Sequence, residues 1–303
     1  MHSLIAFLDP ENKNSEDIIL IGLKIFQEYL NHANDNINNS YDRSFKNTQK
    51  DLKELGIIEL ICKIIPQTSN PDILEDCLDV ANSLLDGGST HIQNEFLSVF
   101  QKLDGKLVIK TILREMVSNL TTFLKRTSKK NTDSIRKVLM NTFTITKIDD
   151  ANGAPDNREA SIMIKIFTFF KNLCEGHNLK LQNYLRTYAC HSEVNIPEEE
   201  ERRDQENIIS LSPHFFGSLV KFFNSDCSDL VESVLDFMIE SVQGPCKGNQ
   251  KEIINCNILT FCKDFLNELN SQKEDLHVKG FNIDNQTDLK QINLLFSRTI
   301  NLL

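Results

Sequence analysis

The sequence predicts an all-α fold, on three observations. Apolar residues recur at helical spacing along almost all of the 303 residues, alternating strand patterns are missing, and the 11 Gly and 7 Pro are few and sit where helices should break. The break points are Gly56, Pro66, Pro71, the pair Gly87-Gly88, Gly105, Gly153, Gly176, Gly244-Pro245 and Gly248. A 40% hydrophobic content is enough for a packed core in one large or two ordinary domains.

The elements follow in order. Ile18, Ile19, Ile21, Leu23, Ile25, Phe26 and Leu30 trace a helix after Ser15, an expected N-cap. The Asn-rich stretch Asn31 to Asn47 reads as loop. From Thr48 to Gln101 short helices succeed one another. One ends at Gly56, one runs Ile57 to Ile65, Pro66 and Pro71 bracket a turn, and one runs Ile73 to Leu85 before Gly87-Gly88. Such units cannot bury their apolar faces alone and need stacked neighbours, so the expected architecture is an armadillo- or HEAT-like solenoid of stacked helical hairpins. No clean repeating consensus is visible between the units.

Leu107 to Phe143 reads as a long, largely helical segment carrying a basic patch, Lys125, Arg126, Lys129 and Lys130, expected to be a solvated face, with partner binding as the alternative. Turn formers and loss of periodicity make 147–157 the expected linker between a helical region 1–146 and a second helical region 158–303. Pro197 to Asn207, with four glutamates from Glu198 to Glu201, is too charged to pack and reads as a loop. Asn285 to Leu303 is helical again and stops as though cut within a helix, which leaves a piece of a longer protein and a complete one both open.

Composition excludes several functions. With 33 Lys+Arg against 43 Asp+Glu the formal charge is -10, which disfavours nucleic acid and anionic lipid as partners. The densest apolar run, Ile162 to Phe170, is interrupted by Lys165 and falls well short of the about 20 residues that span a bilayer, so no membrane segment is expected. Met1 to Phe7 lacks a basic n-region, and a cytosolic location is inferred. The 8 cysteines form no CxxC pair, and most are expected as small buried hydrophobes. The glycosylation triplets at Asn119 and Asn285 are what chance gives in an Asn-rich chain.

The chain lacks a GxSxG elbow, a phosphate-binding GxxxxGK[ST], a dinucleotide glycine fingerprint and HExxH, and it reads as non-enzymatic, without cofactor. Cys174 and His177 have ligand-like spacing and Cys190-His191 follows, but structural zinc sites favour paired half-sites. The expectation is a buried Cys174 and a His177 that caps a helix end. Glu198 to Glu201 lacks the spaced oxygens that wrap calcium.

Three short blocks carry more information. Asn172 to Arg186 reads NLCEGHNLKLQNYLR: a helix ending at Gly176, a tight turn at His177-Asn178, and a second helix from Gln182 through Asn183, Tyr184 and Leu185 to Arg186. Val242 to Gln250 reads VQGPCKGNQ, where Gln243 leads into Gly244-Pro245, which stops a helix. After Cys246, Gly248-Asn249 is expected to supply positive φ before the next helix, which would carry Gln250. Leu84 to Phe96 reads LLDGGSTHIQNEF, with Leu85 before Gly87-Gly88, Ser89 as an expected cap, and Gln93 and Phe96 on the following helix.

The first block resembles the opening of the RIH-associated domain shared by ryanodine and inositol trisphosphate receptors, a pattern close to LCEGHN, an insert filled here by Leu179-Lys180-Leu181, then QNYLR. The second resembles that domain's IQGPCxGNQ turn and leans toward inositol trisphosphate receptors. The third resembles an upstream LLxGGN segment, with Ser89 in place of the family's Asn. The resemblance covers about Leu55 to Leu269 and weakens over Val194 to Phe237. It labels 1–146 as the RIH-like, armadillo-type region and 158–303 as RIH-associated-like. It implies a regulatory or scaffold region of an intracellular ligand-gated calcium-release channel, coupling ligand sensing to the pore on the cytosolic face of the endoplasmic reticulum or another calcium-store membrane. The implied partners are other domains of the same channel and neighbouring subunits of a homotetramer. The motif residues, including Cys174, Glu175, Gly176, His177 and Asn178, are then hairpin-forming scaffold, with contact of Gln182 or Arg186 to a neighbouring domain as an alternative. A free-standing armadillo-type adaptor that holds partner proteins is the competing reading.

Overall fold

The computed structural model describes residues 1–34, 41–103, 105–127, 158–188, 207–223, 227–279 and 283–303. Among the described residues every regular element is helical and there is no strand. They divide into two compact units, the first made of 1–115 and 168–181, the second of 116–167 and 182–303.

In the first unit, α1 (His2–Leu8) packs on α2 (Glu16–Asn34), which lies against α3 (Tyr41–Glu54) and α5 (Pro71–Leu85). Between them α4 (Ile57–Ile64) meets α3, α5 and α6 (Thr90–Lys102). The packing of α1 on α2 requires Gly22, because a Cβ there would stand 2.2 Å from Leu8 Cδ1. Lys63 on α4 holds the end of α1 through a 2.9 Å bond to Asp9 Oδ2. Leu23, Phe26, Leu30, Ile61, Leu78 and Leu84 are buried between these helices, each contributing about 1.5–3 kcal/mol by removal from water. α5 starts as its sequence dictates: Asn70 accepts from the Asp72 amide at 2.9 Å and Pro71 occupies the first helical position.

Two expectations, the loop over 31–47 and the Ser89 cap, differ from the structure. The loop expected over 31–47 is helix at both ends, since α2 continues to Asn34 and α3 begins at Tyr41. The polar composition concealed a helical face, on which Phe45, Thr48, Gln49 and Leu52 are buried. Gly105 falls at a helix break as expected, after α6 ends at Lys102. It opens α7 (Gly105–Thr127), where a Cβ would come within 2.5 Å of the Phe100 carbonyl oxygen, so the chain needs glycine for close approach. Ser89 stands at the N-cap of α6, but its side chain makes no cap bond; its carbonyl accepts from Ile92 and Gln93 instead.

α8 (Arg158–Cys174) and α9 (Leu179–Thr187) follow, then α10 (Ile208–Val220), α11 (Ser228–Val242), α12 (Lys247–Asn255), α13 (Ile258–Lys279) and α14 (Ile283–Leu302). In the second unit α10 packs on α11, α12 and α13, and α11 on α14. Aromatic edges fill this core, with Phe167 against Phe215 at 4.9 Å and Phe216 and Phe223 against Phe265 at 5.4 and 4.9 Å. α10 carries Pro213, which cannot bond back to the Ile209 carbonyl, and the buried Ser212 hydroxyl donates to that carbonyl at 3.2 Å in its place. Asn207, the end of the charged stretch, caps α10 by accepting from the Ser210 amide at 3.0 Å.

Arg126, expected on a solvated face, is bridged to Glu159 at 2.7 Å. Lys129, Lys130, the 147–157 linker, Cys190-His191 and Glu198 to Glu201 lie outside the described residues.

Candidate functional site: carboxamide clamps at the glycine turns

The last carbonyls of any α-helix lack an intrahelical donor. At three helix ends in this chain the shortage is met in one way. α5 ends at Leu85 and turns through Asp86, Gly87 (φ 78) and Gly88 (φ 63). α8 ends at Cys174 and turns through Glu175, Gly176 (φ 71) and His177 (φ 59). α11 ends at Val242 and turns through Gln243 and Gly244 (φ 73) into Pro245. The left-handed geometry that glycine adopts at little cost is thus used at each turn.

Each helix end is then gripped by a buried glutamine from a different helix. Gln49 Nε2 donates to the Ser83 and Asp86 carbonyls at 3.1 and 2.9 Å. Gln93 Nε2 donates to those of Asn172 and Glu175 at 2.9 and 2.8 Å. Gln182 Nε2 donates to those of Glu240 and Gln243 at 2.8 and 3.1 Å. These glutamines are 2%, 1% and 0% exposed, so little water competes for the carbonyls. Neutral carboxamides suit this task because they donate twice without the desolvation cost of a buried charge.

Around Gln93 the joint is completed by Asn178, whose Nδ2 donates to Gln93 Oε1 at 2.9 Å while its Oδ1 accepts from the Leu181 amide at 3.3 Å. Gly88 sits against Glu175, whose Cδ would lie 3.4 Å from an added Cβ. Leu85 and Cys174 are fully buried, and Phe96 meets Phe169 edge-on at 5.6 Å. His177 is exposed in the left-handed region, and the expected capping role falls to Asn178 instead.

Around Gln182 a second polar cluster forms. Asn249, 0% exposed, donates from Nδ2 to the carbonyls of Gln182 and Ser241 at 3.1 and 2.9 Å. Arg186 Nε donates to Asn249 Oδ1 at 3.0 Å and Arg186 Nη2 to Asn183 Oδ1 at 2.7 Å. Cys246 Sγ lies 3.9 Å from the same Asn183 oxygen. Leu185 is fully buried and Tyr184 packs near Tyr188 with ring centroids 6.3 Å apart. Pro245 accepts from the Lys247 amide at 2.9 Å, and the more exposed Gln250 folds back to the Val242 carbonyl at 2.9 Å.

Gly248 and Asn249 do not supply positive φ, as expected above; both lie inside α12. Gly248 is required for space, because a Cβ there would stand 2.6 Å from Arg186 Cζ. Among the described residues no group of three His, Cys, Asp or Glu side chains is placed to hold a metal. Gln49, the clamp on α5, was missed by the sequence reading. The available signal was a glutamine at the buried register of Phe45 and Leu52.

The arrangement therefore defines an all-helical protein whose distinctive polar residues fasten helix ends. Residues 157–266 match the family model for the RyR and IP3R Homology associated domain. The matched segment contains both the Asn172 to Arg186 and Val242 to Gln250 blocks; Leu84 to Phe96 lies upstream of it. The family is non-catalytic. Among the described residues no helix is long and apolar enough to cross a membrane.

Proposed function

We propose that this chain is a non-catalytic regulatory or scaffold region of an intracellular ligand-gated calcium-release channel of the inositol trisphosphate receptor type. Its helical hairpins stack in armadillo or HEAT fashion, couple ligand sensing to the pore, and work against other domains of the same channel and neighbouring subunits of a homotetramer. The region sits on the cytosolic face of the endoplasmic reticulum or another calcium-store membrane. The observation that carries the reading is the family match over 157–266, which includes both near-verbatim blocks. Clamped helix ends support it, because a body that transmits a displacement must resist fraying where its helices turn. The proposed homology segments are 1–146 and 158–303, with 147–157 between them, whereas the compact units group residues by packing.

Extending the transcript tests the proposal. Pore-like hydrophobic segments in the same frame are expected. Stop codons flanking the 303 residues would overturn it in favour of a free-standing adaptor. The isolated chain is expected to give no heat on titration with inositol trisphosphate, and high-affinity binding would contradict the assigned role.

A further inference from the structure

The clamps share a register that does not depend on the functional reading. Each turn glycine is followed six positions later by a glutamine: Gly87 by Gln93, Gly176 by Gln182, Gly244 by Gln250. Each clamped pair of carbonyls stands four and one positions before a turn glycine: Ser83 and Asp86, Asn172 and Glu175, Glu240 and Gln243. The glutamine after one turn grips the helix end before the next, since Gln93 holds the Gly176 turn and Gln182 the Gly244 turn.

Within this register the joints differ, among other places, two positions after the glycine, where Ser89, Asn178 and Cys246 stand. In the Gly176 joint that residue is Asn178, which satisfies the clamp's own oxygen, Gln93 Oε1, at 2.9 Å. In the Gly244 joint it is Cys246, 1% exposed, and Gln182 Oε1 is buried with no hydrogen-bond partner among the described residues. A thiol is a weak donor and cannot reach as a carboxamide does. An orphaned buried acceptor costs more than the bond it lacks.

We infer that the chain carries one joint used repeatedly, and that the residue two positions after the turn glycine sets how firmly each joint closes. Asn178 makes the Gly176 joint complete, and Cys246 makes the Gly244 joint the built-in point of release, where the end of α11 detaches from Gln182 first. The device is conformational: α11 can change its exit direction at a turn whose clamp is only half satisfied.

Amide hydrogen exchange of the full chain reads this directly. The Gln243 amide, bonded to the Ile239 carbonyl, reports on one joint, and the Asn178 amide, bonded to the Cys174 carbonyl, on the other. Exchange at Gln243 is expected to be about tenfold faster than at Asn178 after correction for intrinsic rates. Cys246→Asn should slow it to the Asn178 level, and this slowing should vanish when Gln182→Met is added, because the new donor then has no acceptor. Equal protection of the two turns in the wild type, or a slowing that survives Gln182→Met, would overturn the inference. Should Cys246→Asn not fold, the reverse exchange decides: Asn178→Cys is expected to speed exchange at its own turn, and by clearly less in a Gln93→Met background. An equal change in both backgrounds would count against it.

Discussion

At the scale of single residues, the polar groups of the three blocks hold backbone carbonyls and one another's side chains. Gln93 is the sharpest case, since its carboxamide holds the carbonyls of Asn172 and Glu175 and its oxygen is held by Asn178. Replacing it with leucine leaves buried acceptors without donors, and a loss of about 2–4 kcal/mol in urea unfolding is expected. Glycines divide by cause. Gly248→Ala must push the Arg186 guanidinium from a Cβ site 2.6 Å from Cζ, so a cost of about 1–3 kcal/mol and broken bonds to Asn249 and Asn183 are expected. At Gly176 nothing among the described residues lies within 4 Å of an added Cβ, and φ is +71. Gly176→Ala should therefore cost only about 1–2 kcal/mol, all of it backbone strain. Thermal melts of both variants beside a Gly248→Ala, Arg186→Ala double variant separate the causes, because only the Gly248 effect should shrink when the guanidinium is removed.

At the scale of elements, each helix end has its own local solution: a side-chain cap at Asn70 and Asn207, a hydroxyl beneath Pro213, and a carboxamide from a distant helix at the glycine turns. α10 also predicts a pH dependence. His214 is half-buried beside Phe261, with ring centroids 6.4 Å apart, and burial lowers its pKa below the ordinary value. Because the folded value lies below the unfolded one, near about 6.5, its contribution is fully present above that pH and is lost as pH falls through the folded value. Chemical denaturation between pH 7.5 and 5 should show a falling midpoint, with the fall smaller in His214→Phe; an unchanged slope would place the effect elsewhere.

At the scale of the whole molecule, the cysteines behave as core residues. Cys62, Cys77, Cys174, Cys227, Cys246 and Cys262 are buried, and Cys256 is partly buried. Burial pushes the Cys256 thiol up to about 11 and Cys262 to about 12, so their thiolate fractions at pH 8 are small. Alkylation of these seven residues in the folded chain at pH 8 should be slow, with release only after denaturant unfolds it; rapid native labelling at Cys62 or Cys77 would contradict the packing. The helical class was legible because periodicity and breakers are local properties of the chain. The hairpin positions of the RIH-associated blocks were legible because a glycine followed by capping residues reports a turn without reference to distant contacts. The start of α3 was not, since an Asn-rich composition hides a helix whose buried face is partly polar, with Thr48 and Gln49 in it.

What the sequence determined by itself is therefore local: helices, their breaks, and the two short blocks that lie inside the 157–266 family match. The partners were decided only by tertiary structure. Gln49 lies 37 residues from Asp86, Gln93 lies 82 from Glu175, and Gln182 lies 61 from Gln243. No periodicity connects positions that far apart, and a glutamine bound for a helix end looks in sequence like one bound for water. The repetition of the joint becomes visible once packing shows which carbonyls each carboxamide holds, because the physical constraint is a distance in space that the order of residues does not encode.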